Sequence, residues 1–225
     1  MQLKASNIEK IYNNQSEDKE LLIFKNLEFL LSEEKIVTIY GPSGIGKSTF
    51  LNMIGTLDAP TKGSICLDGI KYGTKNYLKL RKKYIGYIFQ SHYLLPEFTV
   101  YENIELALLI KGYSPSDGIS KQIYSTLKAF NIEDKINAYP RSLSVGESQR
   151  VAISRAIINS PKIVLADEPT GNLDESNSSL IIEQIKKISL EKEIKFIIAT
   201  HDKAFESISD VIYEIKDYKL HLKKV

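Results

Sequence analysis

Two short runs in this chain have the composition needed to handle a nucleoside triphosphate. The first is Gly41-Pro42-Ser43-Gly44-Ile45-Gly46-Lys47-Ser48-Thr49. Its glycines allow the backbone to curl until successive N–H groups face one phosphate chain. Lys47 then has the reach for the β- and γ-phosphates, and the Ser48 hydroxyl is a ligand for Mg²⁺. The second run is Asp167-Glu168, which follows four apolar residues. An aspartate there holds a metal through water, and an adjacent glutamate polarises an attacking water. Two carboxylates ending a buried strand repel each other, so the pair itself argues for a cation. Each run has a plainer reading: a glycine-rich structural turn, and an acidic helix start that Pro169 would permit. A third run, Leu143-Ser144-Val145-Gly146-Glu147-Ser148-Gln149-Arg150, opens a helix with a serine and a glycine. Exposed amides, a helix dipole and a hydroxyl suit an anion. An ordinary N-cap with Glu147 in the first turn explains the same residues equally well.

The elements that must position these groups follow from periodicity. Ile36-Val37-Thr38-Ile39-Tyr40 reads as a buried strand entering the glycine loop, and a helix starts near Lys47 and carries Phe50 to Ile54. Ahead of it, Gln2 to Tyr12 reads as a strand, the polar run Asn13 to Glu20 as a surface loop, and Leu21 to Leu31 as one strand or two short ones. Asp58 to Gly63 and Asp68-Gly69 read as turns around a short strand, Ser64 to Leu67. Leu78 to Tyr84 carries Lys79, Arg81, Lys82 and Lys83; a solvated helix face is favoured over contact with phosphate or lipid headgroups. Ile85 to Phe89 is a strand that delivers Gln90. From Ser91 the pattern turns helical, with Val100 to Ile110, then Ile119, Ile123, Leu127 and Phe130 at helical spacing, then Gly146 to Ile158 capped by Ser144. Alternation resumes with a strand at Ile163 to Ala166, a helix at Asn177 to Leu190 and a strand at Ile194 to Thr200 ending at His201. The polar groups repeatedly follow strands, and in a parallel sheet that gathers them at one edge. The expected class is α/β, with a helical insertion.

The chain has 225 residues, enough for one domain with an inserted lobe. Its formal charge of +2 points to neither a nucleic-acid binder nor an acidic tail. The single cysteine, Cys66, excludes an internal disulfide framework, fits a reducing compartment and reads as a small buried strand residue. No apolar run reaches the roughly 20 residues of a membrane span, and the N-terminal residues show no signal-peptide pattern. The expectation is a cytoplasmic chain whose membrane role runs through a partner.

Taken in order, the glycine loop, Gln90, LSVGESQR, IVLADEPT, Gly171-Asn172-Leu173-Asp174 and His201 resemble the nucleotide-binding domain of ABC transporters over nearly the whole chain. The text around Phe89-Gln90-Ser91 and Ala166 to Asp174 is similar to a subgroup of lipoprotein-releasing (LolD-like), macrolide-exporting (MacB-like), peptide-resistance and cell-division (FtsE-like) ATPases. The resemblance implies a P-loop fold with a RecA-like mixed sheet, an N-terminal antiparallel β subdomain and an inserted α-helical subdomain. The core would be residues 1–90 and 160–225 and the helical part 91–159, all within one nucleotide-binding domain. It implies ATP and Mg²⁺, with Tyr12 stacked on adenine, Gly41 to Thr49 around the phosphates, Ser48, Gln90 and Asp167 on the metal, Lys47 and His201 at the γ-phosphate and Glu168 as base, so that Glu168, His201, Lys47 and Gln90 form the catalytic set. Ser144, Gly146 and Glu147 would meet ATP held by a second copy, with Asp174 at the seam of a head-to-tail homodimer. A separate integral membrane permease would receive the motion at the inner face of the cell membrane, docking near Leu94, Leu95, Phe98 and Tyr101. Peptide, lipoprotein or antimicrobial compound would be the cargo, with no nucleic acid involved.

Two residues depart from the family pattern. Val145 stands where glycine is usual, and Ser148 where this subgroup has arginine. A β-branched residue restricts the backbone and adds bulk. The expectation is that hydrolysis persists, at full or reduced rate; the alternative is a hydrolysis-impaired regulatory subunit.

Overall fold

A computed structural model describes residues 1–14, 19–114 and 117–224. The sheet that carries the polar strand ends has the order β10-β9-β3-β8-β7-β6. Its members are β3 (Ile36–Tyr40), β6 (Ile85–Ile88), β7 (Ile163–Asp167), β8 (Lys195–Thr200), β9 (Val211–Lys216) and β10 (Lys219–Lys224). All neighbours pair in parallel except β9 and β10. The central strands β3, β7 and β8 are buried on both faces, as parallel strands must be when other layers cover them, and exposure grows toward β10 at the edge. On one face Ile36, Ile88, Val164, Ala166, Phe196 and Ile198 meet apolar residues from α3 (Val100–Lys111), α4 (Asp117–Ala129), α5 (Val145–Ile157) and α6 (Glu175–Lys192). On the other, Val37, Ile39, Leu165 and Ile197 pack with α1 (Lys47–Ile54) and with Leu27, Phe29 and Leu31.

Those last residues belong to a second, antiparallel sheet of order β2-β1-β4-β5. It comprises β1 (Leu3–Asn14), β2 (Lys19–Leu31), β4 (Lys62–Leu67) and β5 (Ile70–Lys71). Of the two readings left open for Leu21 to Leu31, the structure has the single strand, β2, rather than a pair of short ones. The pairing of β1 with β2 tolerates register shifts, and Asn7 and Asn26 take left-handed φ of 53° and 50° within it. The loop expected over Asn13 to Glu20 is shorter, since β1 reaches Asn14 and β2 starts at Lys19; residues 15–18 lie outside the described residues. Cys66 is half-exposed rather than buried.

Between β6 and β7 the described residues form helices and irregular segments with no strand: α3, α4 and α5 follow one another. Leu78 to Tyr84 is helical, as α2 (Tyr77–Tyr84), with Leu80 inward and its lysines in solvent. No helix among the described residues is long and apolar enough to cross a membrane.

Candidate functional site

Strand register creates the site. Tyr40 lies opposite Thr200, Asp167 opposite Ala199 and Ile88 opposite Ala166. Gly41, His201 and Glu168, which follow their strands directly, and Gln90, two residues beyond the end of β6, therefore leave the sheet along one edge. The glycine loop turns there through left-handed φ at Gly44 (80°) and Gly46 (112°). A Cβ on Gly46 would sit 2.6 Å from the Ile23 methyl, so both backbone conformation and space require glycine. Gly46 is also the N-cap of α1 and uses no side chain, which leaves the first amides of that helix open toward the loop. The loop encloses a cavity of about 210 Å³ lined by Ile23, Ser43, Gly44, Gly46 to Thr49, Gln90 and Glu168.

Lys47 is buried and turned onto its own loop. Its Nζ donates to the Gly41 carbonyl at 2.7 Å and the Pro42 carbonyl at 3.3 Å, and pairs with Glu168 Oε1 at 3.1 Å. The other Glu168 oxygen, Oε2, accepts from Thr200 Oγ1 at 3.0 Å and the His201 amide at 3.3 Å, and lies 2.9 Å from His201 Nδ1. Burial pushes the Glu168 carboxyl up, but the bonds from His201, Lys47 and Thr200 with the Lys47 charge outweigh it and hold it below the ordinary value. Glu168 sits at φ 46°, left-handed for a non-glycine residue, with its amide tied to the Ala199 carbonyl at 2.8 Å. That conformation is held by the bond to β8 on one side and by the Gly171 amide, which donates to the Glu168 carbonyl at 3.1 Å, on the other. The acidic pair is thus a strand end, not a helix start.

Asp167 behaves oppositely. Burial raises its carboxyl above the ordinary value, a bond from Ser48 lowers it, and the charge of Glu168 raises it again. Its Oδ1 is buried with no hydrogen-bond partner among the described residues. An orphaned carboxylate oxygen on a residue that meets the Ser48 hydroxyl suits a hard divalent cation that keeps several waters, and Ser48 and Gln90 both line the cavity. Among the described residues no group of three His, Cys, Asp or Glu side chains converges on one metal. Such a cation would need phosphate oxygens as well.

Tyr12 reaches the loop from β1. Its hydroxyl donates to Asp58 Oδ2 at 2.6 Å, and Lys10 Nζ sits 4.4 Å from its ring centroid while pairing with Asp58 Oδ1 at 2.8 Å. One ring face is therefore covered by an ammonium. Burial, then Asp58, raise the phenol above its ordinary value. Asp58 was missed from sequence because it lies in a turn, where an aspartate has an ordinary structural use. Thr200 was missed because a strand threonine carries no signal of its partner.

Ser144, Gly146, Glu147 and Asp174 are not among the residues lining the cavity. Ser144 is the N-cap of α5 in a reciprocal capping box: its Oγ accepts from the Glu147 amide and Glu147 Oε2 accepts from the Ser144 amide. Glu147 also pairs with Lys135 at 3.4 Å, so its carboxylate serves its own helix. Asp174 caps α6 through the Asn177 amide, and bonds from Ser176 and Asn177 hold its carboxyl at about 2. Asn177 in turn sits against Gly146, where a Cβ would approach Asn177 Oδ1 to 2.9 Å. Val145 is half in solvent, its side chain 49% exposed. Leu94 and Tyr101 pack against the helical core, whereas Leu95 and Phe98 are exposed.

The family model described as "ABC transporter" matches residues 24–171. The lipoprotein-releasing system ATP-binding protein LolD of Buchnera aphidicola subsp. Acyrthosiphon pisum is 40% identical over 97% of this chain and 96% of its own length. The ABC transporter ATP-binding protein YtrE of Bacillus subtilis is 38% identical over 89% of this chain and 87% of its own. Among solved structures, the dimeric ABC transporter cassette MJ0796 superposes with a TM-score of 0.90 at 36% identity, covering 99% of this chain and 98% of that one. A post-hydrolysis dimer of MJ0796 bound to ADP and Pi superposes equally well.

Proposed function

This chain belongs to the ABC transporter family of ATP-binding subunits, and from that premise we propose that two copies close head to tail over two ATP molecules and drive a separate membrane permease. The observation that carries the reading is the division of the site. Lys47, Gln90 and Glu168 ring the phosphate cavity with His201 on the outer oxygen of Glu168, while Ser144 and Gly146 open a different helix with one side in solvent. A second copy supplies that helix start to the first copy's γ-phosphate.

In this reading the triphosphate takes Lys47 away from Glu168, because three phosphate charges outcompete one carboxylate. Glu168 Oε1 is then free to accept a proton from water. Water oxygen bonds to the γ-phosphorus, the bond from that phosphorus to the β–γ bridging oxygen breaks, and ADP and phosphate leave. His201 and Thr200 keep the other carboxylate oxygen in place. Ser48, Gln90 and Asp167 are the residues that would hold Mg²⁺, which when bound neutralises phosphate charge. Tyr12 offers the face away from Lys10 to adenine. Residues 91–159 act as a helical lobe against a core of 1–90 and 160–225, and exposed Leu95 and Phe98 receive the permease at the inner face of the membrane. By likeness to the LolD proteins, lipoprotein is the favoured cargo class, with peptides and antimicrobial compounds next.

The test is size and turnover together. With ATP, Glu168→Gln should elute at twice the monomer mass while the wild-type protein, with permease, releases phosphate well above it. A variant that stays monomeric with ATP, together with equal phosphate release from both proteins, would overturn the reading.

A further inference from the structure

The chain is close to neutral, yet its charge is unevenly placed. Between Asp68 and Glu97 there is no acidic residue, and the same interval holds Lys71, Lys75, Lys79, Arg81, Lys82 and Lys83. With a total of +2, the rest of the molecule is net negative. Folding concentrates this interval further. Lys75, Lys79, Lys82 and Lys83 join Lys111 around one depression, with Leu78 among them at 58% exposure. None of those first four lysines is ion-paired among the described residues. Holding like charges together without counter-charges costs free energy, and nothing in the fold requires it. Leu80 is buried and Tyr84 packs partly against the same core, which anchors α2 on its inward side, and Arg81 turns back to donate to the Thr56 carbonyl at 3.2 Å.

We propose that this lysine-rimmed face of α2 and Lys111 binds the anionic phosphate headgroups of a lipid bilayer, holding the subunit against the membrane surface independently of its permease. Three features select lipid over an acidic protein segment. The outward cations are lysines, hydrated point charges that suit a diffuse anionic surface, and the one arginine with bidentate geometry points inward. Leu78 stands exposed among them, as an interfacial apolar residue does. Lys83 Nζ lies 5.0 Å from the ring of Tyr84, which packs partly against the core, so the lysine stem covers apolar surface while its ammonium stays outward. The face also adjoins the groove between α2, β6, α3 and α5, with which it shares Leu78, Lys82 and Lys111. A groove there and a membrane contact beside it are compatible with one orientation of the subunit.

The test uses the purified full chain and sedimentation with vesicles. Binding to vesicles of phosphatidylcholine with about one-third phosphatidylglycerol should exceed binding to pure phosphatidylcholine and fall as salt rises. Lys79→Gln/Lys82→Gln/Lys83→Gln should weaken it by on the order of a hundredfold, at roughly fivefold per lysine. Lys186→Gln/Lys187→Gln/Lys192→Gln, an equal charge change on α6, should leave it unchanged. Equal binding to both vesicle types, equal loss in both triple variants, or full competition by millimolar inorganic phosphate would overturn the proposal. Unchanged vesicle binding by the first variant, with loss of capture by permease in detergent, would assign the face to protein instead. Failure of the dimer reading would show in the Glu168→Gln elution and leave these vesicle results untouched.

Discussion

The edge of the parallel sheet and the start of α5 are both phosphate-binding geometries, and they are finished to different degrees. At the sheet edge the charged groups are held by partners within the chain, and Asp167 Oδ1 is left over. Lys47 is buried in three contacts, and Glu168 accepts from Thr200 and His201. At the start of α5, the hydroxyl of Ser144 is used only by its own helix, and Val145 beside it faces solvent. A buried ion pair is costly unless fully satisfied, so the sheet edge is a closed arrangement that needs a stronger anion to open it. An exposed capping box is stable alone and needs nothing. The contrast teaches that ATP must break contacts at one surface and only add them at the other.

The comparison is broken most severely at Glu168. In Glu168→Gln, Lys47 loses its counter-charge and the attacking water its base; phosphate release should fall by on the order of 10²–10⁴-fold while ATP still drives association. Measured ATP affinity should hold or rise, since Lys47 no longer has to leave a carboxylate. The next largest effect separates capping from recognition at α5. Aspartate is as good an N-cap as serine, so Ser144→Asp should leave the melting temperature unchanged. Its charge would oppose the partner copy's γ-phosphate, and ATP-driven dimerisation and turnover should drop by about a hundredfold. A variant that dimerises normally would mean that Ser144 is only a cap.

A smaller effect is expected at Asp58. Asp58→Asn should release Tyr12 and weaken ATP binding by about threefold, with tripolyphosphate binding unaffected because no base is involved. The same carboxyl gives a pH signature. Burial raises it, but the bonds from Lys10 and Tyr12 outweigh burial and hold it below its ordinary value. A depressed carboxyl contributes stability above the unfolded-state pKa and loses it as pH falls through the folded one. The difference in melting temperature between wild type and Asp58→Asn should therefore be full near about pH 5 and shrink toward about pH 3. The smallest effect is at Val145. Val145→Gly should cost ~0.5–1 kcal/mol in stability by adding backbone freedom at a helix start, read from denaturant midpoints. Turnover should rise if the valine's bulk is what slows closure of the two copies.

Much of the sheet edge was legible because local chemistry and local structure coincide there. Gly46 must be glycine for its own φ, Ile36 to Tyr40 is apolar at every position but Thr38, and Asp167 directly ends a strand of the same kind. The final hairpin was not legible. β9 and β10 are joined through Asp217 and Tyr218 at φ of 48° and 62°, a turn that usually announces itself with glycine or asparagine. The choice between one strand and two for β2 stayed open for a related reason: Asn26 breaks the alternation at a left-handed position without ending the strand.

Residue order alone was sufficient to determine the phosphate loop, the acidic strand end and the capped helix, because each depends on neighbours within a few positions. The pairing of Lys47 with Glu168, the Asp58 hold on Tyr12 and the lysine-rimmed depression joining α2 to Lys111 depended on tertiary structure. They join residues far apart in the chain, and only strand register and helix packing set the distances between them. A side chain's type states what it can bind; which partner lies within about 3 Å is decided by the fold.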